Sequence, residues 1–362
     1  MYPLDDIYAS DDSEEATEEP TDEAVLFLCL SSQSQNASSL VQLSSSPEDS
    51  EETKAIQDLL RTAFSNNPPT ASLGDLDRLP HEIVAMVLPH LDVLSYFRFR
   101  HLNRLASQLC TEFVKEYQVV ITHGLGALRG LLRGNLDHRC TIWDLYCVMT
   151  TRDCELCGAF GGFIYLPSAL RCCYPCVWGA TDELLVLRRA TFCQEAGVSL
   201  TEAEHILVGS TLRTVPGPYD KSSRWDNPIY DRPEYLISAK EALEKLAARE
   251  MIRQPISLSK LASDHRESAT QFMASTALPW YNPRTSKADA GVCCEGEIGG
   301  YDCKPCPPNS VVRARTHRGF PTEEFVSHAM GCDAAQNYWA ESKRCVHDMK
   351  HMQYLWDWKR DA

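Results

Sequence analysis

Two pairs of cysteines constrain the fold of this chain most. Cys154 and Cys157 form one C-x-x-C pair, and Cys173 and Cys176 form another after fifteen intervening residues. Each pair makes a tight turn that presents two thiolates to one ion, and two such turns complete a tetrahedral zinc site. Cys173 repeats the spacing with Cys176, so the neighbouring Cys172 is left as a small buried apolar residue. The pattern predicts a zinc ribbon.

The same C-x-x-C spacing also occurs in thiol oxidoreductases, which gives an alternative interpretation. A redox pair needs one thiol of low pKa at a helix start, usually within a βαβ unit. Nothing resembling a βαβ unit surrounds Cys154. Zinc is therefore the favoured interpretation, with residues 159–166 running as a strand over the site. A four-thiolate site has no open position for water, so it indicates a structural ion and not hydrolysis.

A second cysteine group lies nearer the C-terminal end. Cys303 and Cys306 form a third C-x-x-C pair, and His328 and Cys332 follow four residues apart in a predicted helix. Side chains at i and i+4 share one face of a helix. If the C-x-x-C turn folds back onto that helix, the four residues close a second zinc site of three cysteines and one histidine.

Three more residues bear on this second site. Thr322, followed by two glutamates, is expected to cap the helix that carries His328 and Cys332. Cys293 and Cys294 lie upstream as alternative ligands, and the sequence leaves that choice open. A histidine and a cysteine packed without a metal would produce the same helix pattern, but an upstream C-x-x-C pair favours the metal.

Residues 72–114 contain three short amphipathic helices. In the first, apolar residues recur at spacings of three and four, which indicates one buried face. These residues are Leu76, Leu79, Ile83, Val84, Val87, Leu88 and Leu91. Pro80 is expected in the first turn and Pro89 at the end, while Asp92 and Asn103 are expected to cap the next two helices. Three helices of about ten residues bury too little surface to be stable alone, so they need a partner.

This stretch resembles an F-box, the module by which substrate receptors bind the Skp-family adaptor of cullin-based (SCF) ubiquitin ligases. The matching residues are Leu79-Pro80-x-Glu82-Ile83, Val87-Leu88-x-x-Leu91-Asp92, Leu94 and the stretch 98–105. The resemblance implies a surface that faces the Skp-family adaptor. Its expected residues are Leu79, Pro80, Ile83, Leu88, Leu91 and Leu94.

The order of the motifs over residues 73 to about 342 resembles a group of fungal F-box proteins. In that layout an F-box precedes C-x-x-C-Gly, a second C-x-x-C, and a distal C-x-x-C with a helical His-x-x-x-Cys. The resemblance implies a non-catalytic adaptor whose partners are a Skp-family protein, a cullin scaffold and a protein substrate. It names no substrate.

Charge and motifs weigh against other classes of function. The net charge is −15, but residues 1–53 hold fourteen acidic and no basic residues, so the remainder is near −1. A nearly neutral body lacks the strong positive charge of a nucleic-acid reader. The basic stretch 313–318 keeps a zinc-dependent nucleic-acid binder as the alternative function. The sequence contains no Gly-rich phosphate loop, His-Glu-x-x-His or nucleophile elbow, so no enzyme is predicted.

Hydropathy predicts a cytoplasmic or nuclear protein, because no run approaches eighteen apolar residues and the start lacks a basic segment before an apolar one. The expected fold is mainly α with small β and zinc-ribbon elements (α+β), a three-helix F-box followed by a zinc-stapled body. The expected segments are a disordered acidic tail (1–53), a linker with a weak helix (54–71), the F-box (72–114), a first zinc module (115–220), a helix and linker (221–290), a second zinc module (291–346) and an aromatic tail (347–362). Within them, helices are predicted over 141–149, 181–190 and 234–250, and a surface linker over 253–290.

Overall fold

The computed structural model describes the central part of the chain. The described residues are 56, 58–63, 71–218, 229–230, 232–252, 254–265, 268–294, 297 and 318–337. The predicted acidic and aromatic tails, Cys303, Cys306 and most of the basic stretch 313–318 lie outside these residues. Helices and small sheets are mixed, which confirms the α+β expectation at that level.

The region 72–114 folds into short helices joined by tight turns. They are a 3-10 turn Gly74–Arg78, α1 His81–Val87, a 3-10 turn Leu88–His90, α2 Val93–Arg100, and α3 Arg104–Gln108 continued by a π turn Leu109–Phe113. Both predicted caps are confirmed, because Asp92 accepts a hydrogen bond from the Ser95 N–H and Asn103 accepts one from the Ala106 N–H. Pro80 occupies the N-cap position of α1 and not its first turn.

Three apolar helices follow. They are α4 Lys115–His123, α5 Leu125–Arg133 and α6 Ile142–Thr150. The predicted buried helix over 141–149 is confirmed by α6. Thr141 and Asp144 cap this helix reciprocally, each side chain bonding the other residue's backbone N–H. This arrangement satisfies two N–H groups that the first helical turn leaves without partners, and α6 then leads directly into the first cysteine pair.

The strands are short and antiparallel. They are β1 Phe163–Tyr165, β2 Leu170–Cys172, β3 Val186–Arg188, β4 Thr211–Arg213, β5 Gly217–Pro218, β6 Ile229–Tyr230, β7 Tyr235–Ser238, β8 Ser275–Ala277, β9 Trp280–Asn282, β10 Lys287–Asp289, β11 Val292–Cys293 and β12 Gly319–Phe320. Two sheets have three strands, in the orders β2-β1-β8 and β3-β7-β4, and the other pairs are β10-β9, β11-β12 and β5-β6. In the first sheet Phe163 lies between Cys172 and Ala277.

The remaining helices surround these sheets. They are α7 Tyr174–Gly179, α8 Arg189–Ala196, α9 Leu200–Leu207, α10 Ala239–Ala247, α11 Leu258–His265, α12 Ser268–Met273 and α13 Thr322–Gly331. Helix α12 packs against both three-stranded sheets, where Gln271 accepts a hydrogen bond from Val186 N–H and returns one to the Val186 carbonyl. A single buried amide therefore fixes the position of β3 relative to this helix.

The helix predicted over 181–190 is wrong, because β3 occupies Val186–Arg188 and α8 begins only at Arg189. The helix predicted over 234–250 is confirmed for Ala239–Ala247, which form α10, and β7 precedes it. Each strand is a short apolar run buried on both faces, and periodicity cannot distinguish such a run from a buried helical segment. Ser238 marks the change from strand to helix, since its hydroxyl accepts a hydrogen bond from the Glu241 N–H.

The predicted surface linker over 253–290 is wrong. This stretch contains α11, α12 and three strands, and β8 pairs with β1 of the first cysteine module. Phe272, Met273 and Leu278 from this stretch are buried in the main core. The polar composition of this stretch indicated a linker, but Thr270, Gln271 and Ser275 are buried and donate hydrogen bonds to backbone carbonyls.

Packing does not follow the expected segment boundaries. The main core joins Val84 of α1 and Leu88 of the following 3-10 turn with Cys154 and Phe272, so the helices of 72–114 and the first cysteine module share one interior. A second core is built on β3, β7 and α8 to α11. Neighbouring residues of β7 face different cores, Leu236 the first and Ile237 the second, as the two-residue period of a strand requires.

We expect Leu236→Ala to lower the free energy of unfolding by about 2–5 kcal/mol, because it empties a fully buried site on the central strand. Urea denaturation of the full chain, followed by tryptophan fluorescence, measures this change. Tyr235→Ala on the same strand is the control, since Tyr235 is exposed and only its contact with Arg189 is lost, a cost of about 1 kcal/mol. Equal losses in the two variants would contradict a central position for β7.

Candidate metal centres

The four cysteines of the first group lie together. The sulfur atoms of Cys154, Cys157, Cys173 and Cys176 are all within 4.8 Å of one another, and those of Cys157 and Cys173 are 3.5 Å apart. A tetrahedral zinc ion with bonds of about 2.3 Å places its sulfurs roughly 3.8 Å apart. The cluster therefore has the size that one metal ion of this kind requires, and it can hold one.

Hydrogen bonds of the backbone shape the first turn. Cys154 N–H donates to the Ala159 carbonyl at 2.6 Å, and Gly158 N–H donates to the Cys154 carbonyl at 2.8 Å. Gly158 has φ of +73°, a left-handed conformation that favours glycine. The turn also directs the N–H groups of Leu156 and Cys157 toward the Cys154 sulfur.

The second turn joins a strand to a helix. Strand β2 ends at Cys172, Cys173 is the N-cap of α7, and Cys176 lies inside that helix. Because side chains alternate along a strand, Cys172 faces away from its neighbour and is fully buried, as predicted. Burial raises the pKa of the Cys172 thiol well above its ordinary value, so it remains a neutral, apolar side chain.

The charges of Cys154, Cys173 and Cys176 are linked. Hydrogen bonds from the thiols of Cys173 and Cys176 hold the pKa of Cys154 well below its ordinary value. The same contacts with Cys154 raise the pKa of Cys173 and of Cys176, because these thiols keep the protons that they donate. Of these three, Cys154 therefore carries the first negative charge, and Cys173 and Cys176 release their protons when a cation balances the added charge.

A buried arginine lies beside this cluster. Arg171 is fully buried, and its Nη1 donates to the carbonyls of Val148 at 3.3 Å and Pro279 at 3.2 Å. Its Nε and Nη2 atoms have no hydrogen-bond partner among the described residues. Gly161 provides the space, because a Cβ there would lie 2.8 Å from Arg171 Cγ.

The burial of the Arg171 charge indicates which net charge the cysteine cluster carries. Burial lowers the pKa of Arg171 to about 10, while negative charge on Asp153 and Cys154 acts in the opposite direction. A buried cation without a counter-charge costs several kcal/mol. Four thiolates around one divalent ion carry a net charge of about −2 by ligand count, which supplies that counter-charge. The buried arginine therefore fits a metal-loaded, anionic cluster. Sequence reasoning missed Arg171, because nothing in its local pattern distinguishes a buried arginine from an exposed one.

The structure brings together only part of the predicted second site. The ligand atoms of His328 and Cys332 lie within 4.8 Å of each other and of the Cys294 sulfur, and these three residues can hold a metal ion. Cys294 is one of the two alternatives that the sequence left open, and Cys293 is not in the group. Cys303 and Cys306 lie outside the described residues.

The expected cap of the helix that carries His328 is wrong. Pro321 occupies the N-cap position of α13, and Thr322 is its first residue. The acceptor comes instead from Asp289, whose carboxylate receives the Thr322 N–H at 2.9 Å and the Thr322 hydroxyl at 2.7 Å. A carboxylate at this end stabilises a helix as a local cap would. Spacing rules miss it because Asp289 lies on β10.

The residues expected to face a Skp-family adaptor divide between surface and core. Leu79, Pro80 and Ile83 are exposed, and Leu91 and Leu94 are half-buried. Leu88 is only 3% exposed and packs in the main core, so its predicted place on the partner surface is wrong. Leu88 lies four residues after Val84, so the two side chains face the same core.

Two exposed apolar residues on α1 were not among the expected surface residues. Met86 is 69% exposed and Val87 is 56% exposed, compared with 42% for Leu79 and 43% for Ile83. Ile83, Met86 and Val87 are related by i, i+3 and i+4, so they share one face. The spacing alone could have identified this face, but it could not show which face of α1 is buried.

The comparisons with known proteins give no relative. No family model matches the chain, and neither the curated proteins nor the solved structures contain a match. Among the described helices, none combines the length and the apolar character needed to cross a membrane.

We expect Cys157→Ser to remove one equivalent of zinc from the purified full chain, because it deletes one of four ligands of a closed site. Elemental analysis measures the metal content. Cys172→Ala is the matched control, since this neighbouring cysteine is buried away from the cluster and its loss should leave the zinc content unchanged. Equal zinc in Cys157→Ser and the wild type would contradict the site.

We expect Arg171→Met to weaken zinc binding by about 10- to 100-fold, the usual effect of removing a group that supports the ligands. Competition with a chelator measures the affinity. Arg133→Met, at an exposed arginine, is the control. A loss of thermal stability with unchanged zinc affinity would show that Arg171 serves packing only.

Proposed function

We propose that this chain is a non-catalytic substrate receptor of an SCF-type ubiquitin ligase. In this proposal α1 and its surroundings bind a Skp-family adaptor, and the cysteine-stapled body binds a protein substrate. The observation that carries the proposal is the exposed apolar face of α1.

Helix α1 is apolar on two sides. Val84 points into the main core and anchors the helix, with Leu88 just beyond its end, while Ile83, Met86 and Val87 face outward. A contiguous apolar surface of this kind is uncommon on a protein without partners and marks an interaction site. An amphipathic helix face also matches a common mode of recognition, in which apolar side chains at i, i+3 and i+4 enter a partner's groove.

Neighbouring residues extend this surface. Leu76 and Leu79 precede α1 and are exposed, and Phe113 at the end of the π turn is also exposed. The rings of Phe113 and His81 are 6.3 Å apart in an edge-to-face arrangement, so Phe113 adjoins the start of α1. The apolar surface therefore includes residues from both ends of the F-box-like stretch.

The resemblance of residues 72–114 to an F-box supplies the identity of the proposed partner. The Leu79-Pro80-x-Glu82-Ile83 motif lies where the exposed apolar surface begins, and the caps at Asp92 and Asn103 give the two following helices that an F-box requires. The four-cysteine cluster supports a non-catalytic body, because closed coordination by four thiolates serves structure.

We expect the double variant Ile83→Asp and Met86→Asp to weaken binding to a purified Skp-family adaptor by at least about 100-fold. Two buried charges would replace two interface side chains, each worth about 2 kcal/mol at an interface centre. Native pulldown and calorimetric titration measure the affinity. Both positions are exposed in the free chain, so the melting temperature should change little.

Val208→Asp is the matched control. Val208 is an apolar residue 64% exposed in a 3-10 turn far along the chain from α1, so the same added charge there should leave adaptor binding intact. If the α1 double variant binds the adaptor as well as the wild type does, the proposed function is wrong.

A further inference from the structure

The third apolar core of the structure is very small. Its five buried residues are Val292, Cys294, Phe325, Ala329 and Ala335. This core joins α13 to the two-stranded sheet of β11 and β12, whose strands pair through only two residues each. Helices and two-stranded sheets of this length are marginally stable in water, and very small cores usually depend on metals or disulfides. A bound metal ion would therefore add to the contacts that Asp289 and Arg152 already make with α13.

Three metal-ligating side chains meet within this small core. Cys294 directly follows β11, His328 lies in α13, and Cys332 directly follows that helix. Their ligand atoms are all within 4.8 Å of one another. One ion would therefore link the end of β11 to the C-terminal half of α13.

The surroundings of His328 suit it to bind a metal ion. Its ring stacks on Phe320 of β12, with ring centres 3.9 Å apart. The Nε2 atom is buried and has no hydrogen-bond partner within the described part of the chain. The nearest carboxylate oxygen, on Glu297, is 3.7 Å from it, which is too far for a hydrogen bond. A buried polar nitrogen without a partner is costly, and coordination to a metal ion would satisfy one of the ring nitrogens.

Two charged side chains flank the three ligands. Glu297 is the acidic group beside His328. Arg318, which directly precedes β12, lies over the Phe320 ring on which His328 stacks.

We propose that Cys294, His328 and Cys332 bind one zinc-class divalent ion, and that this ion holds α13 against the two-stranded sheet of β11 and β12. Two thiolates and one imidazole are the soft and borderline ligands that zinc prefers. On binding, each thiol releases its proton to solvent and the imidazole binds in its neutral form. The assignment of Cys294 goes beyond the adaptor function and differs from the sequence pattern, which favoured Cys303 and Cys306.

The ion would also fix this unit against the first cysteine group. Glu324 of α13 pairs with Arg152 at 2.6 Å, two residues before Cys154. The Phe160 ring packs against Gly291 and Gly319, the residues next to β11 and at the start of β12. Because α13 and the sheet of β11 and β12 both contact the segment around Cys154, an ion that holds α13 against this sheet preserves both contacts.

The test uses the full chain and compares two adjacent cysteines. We expect Cys294→Ser to contain one equivalent of zinc less than the wild type, whereas Cys293→Ser, which alters a partly buried cysteine outside the cluster, keeps the wild-type amount. With cobalt(II) as the probe metal, the thiolate-to-metal absorption should fall in Cys294→Ser only. Backbone amide hydrogens of α13 should exchange with solvent at least about tenfold faster in Cys294→Ser, because the helix opens locally when the metal ion is absent.

Equal zinc contents in Cys294→Ser and Cys293→Ser would overturn the proposal. If Cys294→Ser loses all bound metal through wider unfolding, His328→Gln decides by the same count, since this change removes a ligand from the helix side and retains a polar side chain. A wild-type metal content in His328→Gln would then also overturn it. Neither measurement involves an adaptor, so the outcome is independent of the proposed function.

Discussion

The charge concentrated where four cysteine sulfurs pack closely beside a buried arginine is the constraint on which the surrounding structure depends. The Glu155 N–H donates to the Arg171 carbonyl at 3.0 Å, and the Arg171 N–H donates to the Glu155 carboxylate at 2.8 Å. These bonds tie the first cysteine turn to β2, and β2 connects through β1 to β8. Charge balance at the cluster therefore supports the first sheet and, through β8 and α12, its contact with the second sheet.

Features set by neighbouring residues were predictable from the sequence. The four cysteines, the exclusion of Cys172 and the caps at Asp92 and Asn103 each depend on spacings of a few residues, and each agrees with the structure. Contacts between distant segments were not predictable. The pairing of β8 with β1, the cap that Asp289 gives α13 and the place of Cys294 beside His328 all join parts of the chain that no local pattern connects.

Helix α1 shows a further limit of periodicity. Its apolar residues form a stripe wide enough to cover both a buried and an exposed face, so the pattern predicted a helix and could not assign Leu88 to the core. That assignment depends on which face of the helical stretch packs against distant parts of the chain. The same width makes the helix useful as an attachment point, since one face can be held rigidly while the other remains available. A rigid support reduces the ordering entropy that binding costs.

The packing of Phe160 also constrains which sequences can share this fold. Phe160 forms an isolated β-bridge with Asp153, the residue before Cys154, and its ring fills the space where a Cβ on Gly291 would lie, only 2.3 Å away. Gly291 also has φ of +74°. A larger residue at 291 would therefore need a smaller one at 160, together with a side chain that tolerates positive φ, such as asparagine. Among homologues these two positions, far apart in the chain, should accordingly vary as a correlated pair.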